Sequence, residues 1–323
     1  MSRVFVTRRL PLDPVEVLGR AHEAIVFGED RPPTRDEIAN GARGAKAIVS
    51  LVTDRIDATL LDRLPDLAIV AQMAVGFDNV DVDACRARGI FVTHTPDTLT
   101  ESTAELAFGL MLAVARRFHE GEAMLRSGGF HGWSPTMLLG TELDGKTLGV
   151  VGYGRIGRAI AKRAAAFGMR VIAAERGDQP FSPDGIATHA PLSRLLEESD
   201  VVTLHCPGSP ATRHLIGDAQ LARMKPSAIL INTSRGTVVE EAALVRALER
   251  GVIAGAGLDV YEDEPRVHPG LIGRSNVILL PHLGSATLEA RSRMACMALT
   301  DAARVLDGKP PLHLVPSWNE TPR

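Results

Sequence analysis

The sequence predicts an α/β fold of two parallel-sheet domains, one inserted into the other, on three observations. Over the first hundred residues short apolar runs alternate with polar, helix-like stretches, the pattern of a small parallel sheet covered by helices. A second alternation starts near Gly145 with an apolar run, a glycine-rich turn and an amphipathic stretch, and continues to Leu280. After Ser285 a helical pattern runs to about Asp307, followed by a Pro-rich tail. That last helix is expected to return to the first sheet, which leaves 99–285 as an insertion between 1–98 and 286–323.

In the first domain Val4–Thr7, Glu23–Phe27, Ala47–Leu51, Ala68–Met73 and Ile90–Thr93 are the expected strands. Between them, Thr34–Arg43 and Asp57–Arg63 carry helical spacing and start signals. Thr34, with Glu37 three residues later, has the form of a capping box. Thr100 opens a longer helix to about Phe118, with Leu106, Leu110 and Val114 at intervals of four. Gly128, Gly129, Gly132 and Pro135 make the next stretch a loop, which holds Trp133.

The inserted domain is organised around Thr147–Lys162. Leu148–Val151 is a short β-branched run of the kind buried in parallel sheets. It stops at Gly152, and Gly154 and Gly157 complete G-x-G-x-x-G. From Arg155 the pattern turns helical, with Ile156, Ile160, Ala164 and Phe167 on one face. In such a unit the glycines provide a tight turn, close backbone approach to a pyrophosphate and close helix–strand packing. The free N–H groups at the helix start favour an anion. A second strand, Met169–Ala174, ends at Glu175, 18 residues after Gly157 (175 − 157). An acid there can accept from the adenosine ribose hydroxyls. Strand, turn, helix, strand and acid together specify a dinucleotide site. Glu175 favours NAD by repelling a 2′-phosphate, whereas the adjacent Arg176 could attract the phosphate of NADP. Further strands are expected at Val201–Leu204, Ala228–Asn232, Gly255–Leu258 and Val277–Leu280, with helices at Leu192–Glu198 and Glu240–Arg250.

Composition narrows the function classes. The 323 residues are 45% hydrophobic and 23% charged, ordinary values for a globular protein, with a formal charge of −3 that gives no case for nucleic acid. No signal peptide or membrane span is expected: Arg8-Arg9 interrupts the first apolar run, and the stretch near Leu106–Ala115 is too short. Cys85, Cys206 and Cys296 are isolated and read as reduced thiols in the cytoplasm. No metal-ligand spacing and no G-x-S-x-G elbow occurs.

Three later strands end in polar residues, where open α/β sheets place their ligands. Arg235 follows Asn232-Thr-Ser, and a guanidinium there can grip a carboxylate with two bonds or serve a structural ion pair. Asp259 ends a strand ahead of Glu262, Asp263 and Glu264, an acidic run of a kind that is usually a solvated loop. His282 follows Ile278-Leu-Leu-Pro and precedes Leu-Gly-Ser285. A carboxylate and a histidine on neighbouring strand ends can form an acid–base pair.

Together Val150-Val-Gly-Tyr-Gly-Arg-Ile-Gly157, Asn232-Thr-Ser-Arg-Gly236, Gly257-Leu-Asp-Val-Tyr-Glu-Asp-Glu-Pro265 and Pro281-His-Leu-Gly-Ser285 resemble the D-isomer-specific 2-hydroxyacid dehydrogenases. Ala74–Asp81, Thr95–Thr100 and Trp133-Ser-Pro135 before Leu139-Gly140 resemble the glyoxylate/hydroxypyruvate reductases among them. The resemblance implies a Rossmann NAD-binding domain inserted into a smaller flavodoxin-like substrate domain, with a cleft that closes over the substrate. It implies that Arg235 holds the substrate carboxylate and carbonyl. His282 becomes the general acid that protonates the carbonyl as hydride arrives, and Glu264 the carboxylate that orients it. It assigns Leu51, Val75 and Gly76 to the substrate. Thr103, Thr233, Asp259 and Gly284 fall to the nicotinamide side, Arg155 and Ile156 to the glycine turn, and Pro207 and Thr212 to a loop beside the adenine. Trp133 resembles a tryptophan that reaches the partner subunit's site, which implies a homodimer. His94 departs from the family, whose close members often have Asn before Thr-Pro.

The sequence thus reads as an NAD-preferring enzyme, with NADP possible, that reduces a small 2-keto acid such as glyoxylate or hydroxypyruvate to the D-2-hydroxy acid. Within the same fold the alternative is a D-3-phosphoglycerate or phosphite dehydrogenase. Outside catalysis it is a dinucleotide-sensing binding protein, which would bind NAD with little turnover.

Overall fold

The computed structural model of the chain describes residues 1–175 and 184–319; Arg176 lies outside the described residues. The chain divides into two compact units, Met1–Leu99 with Ala286–Arg323, and Thr100–Ser285.

The first unit runs β1 (Ser2–Val6), α1 (Pro14–Leu18), β2 (His22–Val26), α2 (Arg35–Gly41), β3 (Ala47–Ser50), α3 (Ala58–Leu61), β4 (Ile69–Gln72), α4 (Val82–Ala87) and β5 (Phe91–Thr93). The five strands form one parallel sheet in the order β2-β1-β3-β4-β5, the flavodoxin-like order. Each expected strand forms, because apolar residues on both pleat faces find cover. Ile48, Val70 and Val92 pack with Ile38, Leu60 and Leu61 on one side. On the other side Val4, Val49 and Ala71 meet Met294, Ala295, Ala298, Leu299 and Ala302 of a helix from the other end of the chain. The expected capping box is present at α2: Thr34 Oγ1 accepts from Glu37 N at 3.3 Å, and Glu37 Oε2 from Thr34 N at 2.7 Å. The tail after that helix runs beside β5, with Val315 N donating to Val92 O and His94 N to His313 O. Asp301, fully buried, holds this tail by accepting from Leu312 N at 2.7 Å and facing His313 Nδ1 at 2.9 Å.

The second unit opens with α5 (Thr100–Ala115) and α6 (Phe118–Arg126). The sequence reading of one helix to Phe118 is corrected here. Arg117 takes a left-handed φ of 55°, and the Ala115 carbonyl accepts from Thr141 N at 2.8 Å instead of continuing the helical ladder. There follow β6 (Thr147–Val151), α7 (Arg155–Ala166), β7 (Arg170–Ala174), β8 (Ala187–His189), α8 (Leu192–Glu198), β9 (Val201–Leu204), α9 (Asp218–Leu221), β10 (Ile229–Asn232), α10 (Glu241–Glu249), β11 (Gly255–Leu258) and β12 (Val277–Leu279). The helix that returns to the first unit, α11, spans Leu288–Leu306.

These seven strands form a second parallel sheet, β12-β11-β10-β9-β6-β7-β8, which is the Rossmann order. Strand order reverses between β6 and β9, and ligands of such sheets sit at the carboxyl ends around that point. The expected buried face of α7 is largely present. Ile160 and Ala164 are buried, whereas Phe167, at the end of the helix, is half exposed and meets Phe108 with ring centroids 4.6 Å apart.

Candidate active site

The glycine turn between β6 and α7 is shaped for a dinucleotide. Gly152 has φ 92°, and a Cβ at Gly157 would stand 2.2 Å from the Gly152 carbonyl oxygen, so a side chain is excluded where α7 meets the strand. Among the described residues a Cβ at Gly154 would meet nothing within 4 Å. Gly154, which has no side chain to cap with, opens α7, so the backbone of Arg155, Ile156 and Gly157 forms the helix start that faces an anion in such units. Glu175 lies just past β7, its Oε1 accepting from Tyr153 N at 2.6 Å, which anchors the acid to the turn itself. These features fit an NAD(P) pyrophosphate and adenosine ribose. Tyr153 ties in the far side as well: its hydroxyl donates to Asp184 Oδ2 at 2.7 Å, an anchor not evident in the sequence.

At the other end of the sheet, β10, β11 and β12 deliver Arg235, the 259–264 loop and His282. His282 Nδ1 lies 3.0 Å from Glu264 Oε2, both side chains about one-third exposed. An ionised carboxylate only accepts, so Nδ1 is the donor and Nε2 is the nitrogen left for chemistry. Glu264 Oε1 also accepts from Tyr261 N at 3.1 Å, which fixes the carboxylate plane. Burial works to raise the Glu264 pKa. It is outweighed by the hydrogen bond and charge of His282, the Tyr261 N–H and the Arg235 charge, so the group sits below the usual carboxylate range. Of the three acids Glu262, Asp263 and Glu264, the structure brings Glu264 to the histidine. Glu262 instead meets His214 at 2.5 Å and Arg213 at 3.0 Å, and Asp263 pairs with Arg266.

Arg235 leaves β10 through a turn in which Asn232 Oδ1 accepts from Ser234 N and Oγ, while Asn232 Nδ2 donates to Arg235 O at 3.0 Å. A Cβ at Gly236 would fall 1.8 Å from the Tyr261 carbonyl carbon. The Arg235 turn and the acidic loop therefore touch backbone to backbone, which only glycine permits.

Asp259 and Thr103 serve the histidine loop directly. Buried Asp259 accepts from Leu283 N at 2.6 Å and Gly284 N at 2.8 Å, and its carbonyl accepts from His282 N. Thr103 Oγ1 donates to Gly284 O at 3.1 Å. These bonds hold His282 at φ 56°, a backbone conformation uncommon outside glycine. Burial raises the Asp259 pKa, and the two N–H donors only partly offset it. Among the described residues Thr233 Oγ1 is buried with no hydrogen-bond partner, a polar atom at the end of β10 that a bound ligand could satisfy. Pro207 and Thr212 share one turn, Thr212 Oγ1 donating to Pro207 O at 2.7 Å.

In the first unit Leu51 and Gly76 are tied together through Gln72, Asn79 and Asp54, to which the sequence assigned no role. Gln72 Nε2 donates to Asn79 Oδ1 at 2.8 Å and to Gly76 O at 3.4 Å. Asn79 Nδ2 donates to Leu51 O at 3.0 Å and Asp54 O at 2.7 Å, and Asp54 Oδ2 accepts from Leu51 N at 2.7 Å. Gln72, a fully buried amide at the end of β4, was the available signal, because such groups are retained only with partners. Trp133 is 80% exposed, on a segment that also exposes Phe118, Leu125, Phe130 and Leu139.

A doubly wound sheet with a nucleotide turn, and a histidine–carboxylate pair beside an arginine at its strand ends, define a dinucleotide-dependent dehydrogenase. Residues 108–284 match the family described as D-isomer specific 2-hydroxyacid dehydrogenase, NAD binding domain. A glyoxylate reductase of Thermococcus litoralis is 46% identical over 97% of this chain and 96% of its own. A solved protein of Thermus thermophilus superposes with a TM-score of 0.91 at 45% identity, covering 97% of this chain and 99% of that one. An NADPH-dependent glyoxylate/hydroxypyruvate reductase of Sinorhizobium meliloti, solved with NADP and malonate, gives 0.85 at 35% identity, over 100% and 99% of the two chains. The chain belongs to the D-isomer-specific 2-hydroxyacid dehydrogenase family. It is an NAD(P)-dependent oxidoreductase that reduces a 2-keto acid.

Proposed function

We propose that the enzyme reduces glyoxylate and hydroxypyruvate to their 2-hydroxy acids, with His282 as general acid, Glu264 as its partner and Arg235 as the carboxylate anchor. The observation that carries the residue roles is the His282–Glu264 pair at 3.0 Å, whose carboxylate also feels the Arg235 charge. The bound nicotinamide supplies the hydride. Arg235 grips the keto-acid carboxylate and polarises its carbonyl, and the Val75–Gly76 backbone of the first unit is read as a carboxylate-binding loop. His282 gives its Nε2 proton to the carbonyl oxygen, so that hydride and proton together convert C=O to CH–OH. Glu264 keeps the ring oriented by accepting from Nδ1.

Glu175 at the end of β7 supports a preference for NADH, since a carboxylate repels the 2′-phosphate of NADPH. The exposed apolar segment through Phe118, Leu125, Phe130, Trp133 and Leu139 supports a homodimer formed through it. The three cysteines are free thiols, and among the described residues no helix is long and apolar enough to cross a membrane. Both support a cytoplasmic location.

The test is NADH and NADPH oxidation with glyoxylate, hydroxypyruvate, pyruvate and phosphohydroxypyruvate. Fast turnover of the first two with NADH is the expected result. Activity confined to phosphohydroxypyruvate would overturn the substrate assignment, and a strong preference for NADPH would overturn that of Glu175.

A further inference from the structure

The loop that follows β4 carries the Val75–Gly76 peptide, and one side chain fixes it from a neighbouring strand end. His94, half-buried just past β5, has Nδ1 3.0 Å from the Val75 carbonyl oxygen. A carbonyl oxygen only accepts, so Nδ1 carries the proton and donates. The ring meets Phe77 edge-on, with centroids 5.8 Å apart and planes at 85°. The backbone is held as well: His94 N donates to His313 O at 3.0 Å, and Thr95 N to Ala74 O at 2.8 Å.

A trans peptide is planar, with its C=O and the following N–H pointing to opposite sides. Holding the Val75 oxygen on the His94 side therefore aims the Gly76 N–H the other way. The next peptide is restrained too, since Gly76 O accepts from Gln72 Nε2 at 3.4 Å. The loop between Ala74 and Asn79 is thus braced at successive carbonyls, and its donor direction is set before any ligand arrives.

We infer that His94 is a positioning residue for the substrate carboxylate: by holding the Val75 carbonyl it orients the Gly76 N–H that receives the carboxylate. This rests on the reading of Val75–Gly76 as the carboxylate-binding loop. The departure at position 94 then has a physical account. Imidazole Nδ1 and an asparagine amide nitrogen are both bonded directly to Cγ, so either side chain can present a donor at the same point.

Two variants separate the donor from the packing. His94→Asn keeps a donor and loses the ring, whereas His94→Phe keeps a ring against Phe77 and loses the donor. The whole enzyme is assayed for keto-acid KM, NADH KM and kcat. In parallel the protein is labelled with carbonyl-¹³C valine and ¹⁵N glycine. Only Val75–Gly76 and Val151–Gly152 join these residues, so two amide signals report the loop and the glycine turn separately. The ligand probe is oxamate, a non-reducible 2-keto-acid isostere, added with NADH.

His94→Phe is expected to raise keto-acid KM roughly three- to tenfold, the scale of one lost hydrogen bond. NADH KM stays unchanged, and the Gly76 signal loses its response to oxamate. His94→Asn stays within about twofold of wild type, on the same scale. Wild-type behaviour in His94→Phe, with a normal Gly76 response, would overturn the inference while leaving the loop reading intact. A wild-type Gly76 signal that ignores oxamate, while keto-acid turnover is normal, would overturn the loop reading and the inference with it.

Discussion

His282 is held by bonds of two kinds. Asp259 and Thr103 fix the backbone on which it stands, and Glu264 fixes the ring. Loss of the imidazole in His282→Asn is expected to lower kcat by about 10²–10⁴-fold, the usual worth of a positioned general acid. Arg235→Ala removes a charge-assisted grip and should raise keto-acid KM by about 10- to 100-fold. Steady-state kinetics with saturating NADH check both. The Glu264 pKa lies below its ordinary value despite burial, because His282 outweighs it. A carboxyl lowered on folding adds stability above its unfolded pKa, about 4.3 for Glu, and loses it only as pH falls through the lowered value. Glu264→Gln should therefore lower the melting temperature above about pH 4.3 and converge with wild type in stronger acid; a constant difference at all pH values would contradict this. In the sequence, Arg235 and His282 stand just past the carboxyl ends of strands, whereas Glu264 is told apart from Glu262 and Asp263 only by the resemblance. Gln72, Asn79 and Tyr153 were not legible there, since their work is hydrogen bonding across segments distant in the chain.

At the level of elements, the turn from β6 into α7 admits no side chain where the helix meets the strand. Gly157→Ala would put a Cβ 2.2 Å from the Gly152 oxygen. It is expected to cost about 1–3 kcal/mol of stability, the scale of overpacking, and to weaken NADH binding at least about tenfold. Thermal melts and NADH fluorescence titration measure these. The segment from α6 to Leu139 presents its apolar side chains outward, and α6 buries none of its residues. Leu125→Asp with Phe130→Asp should move the protein from dimer to monomer in sedimentation velocity; a monomeric wild type would contradict the interface. Element by element, the strands were the most legible part, because a run such as Ala47–Val49 is buried on both faces and carries an unbroken apolar signal. β8 is only three residues long with no buried position, so its sequence carries little pattern. The break at Arg117 has no local signal, because it comes with the Thr141–Ala115 bond, which joins residues distant in the chain.

For the whole molecule, two parallel sheets divide the work, the first carrying the Val75–Gly76 loop and the second the nucleotide turn and the histidine pair. That architecture was readable from strand–helix alternation, since every parallel strand needs a crossover and the crossovers here are mostly helical. The preferred keto acid is far less legible, because a few pocket side chains discriminate small substrates by only about 1–3 kcal/mol. Stopped-flow oxidation of NADH by glyoxylate tests the chemistry most directly, with wild type and His282→Asn compared after NADH binding is matched by fluorescence. The account predicts equal NADH affinity and a hydride-transfer rate at least about 10²-fold slower in the variant. A variant rate within a few-fold of wild type would show that His282 is not the proton donor.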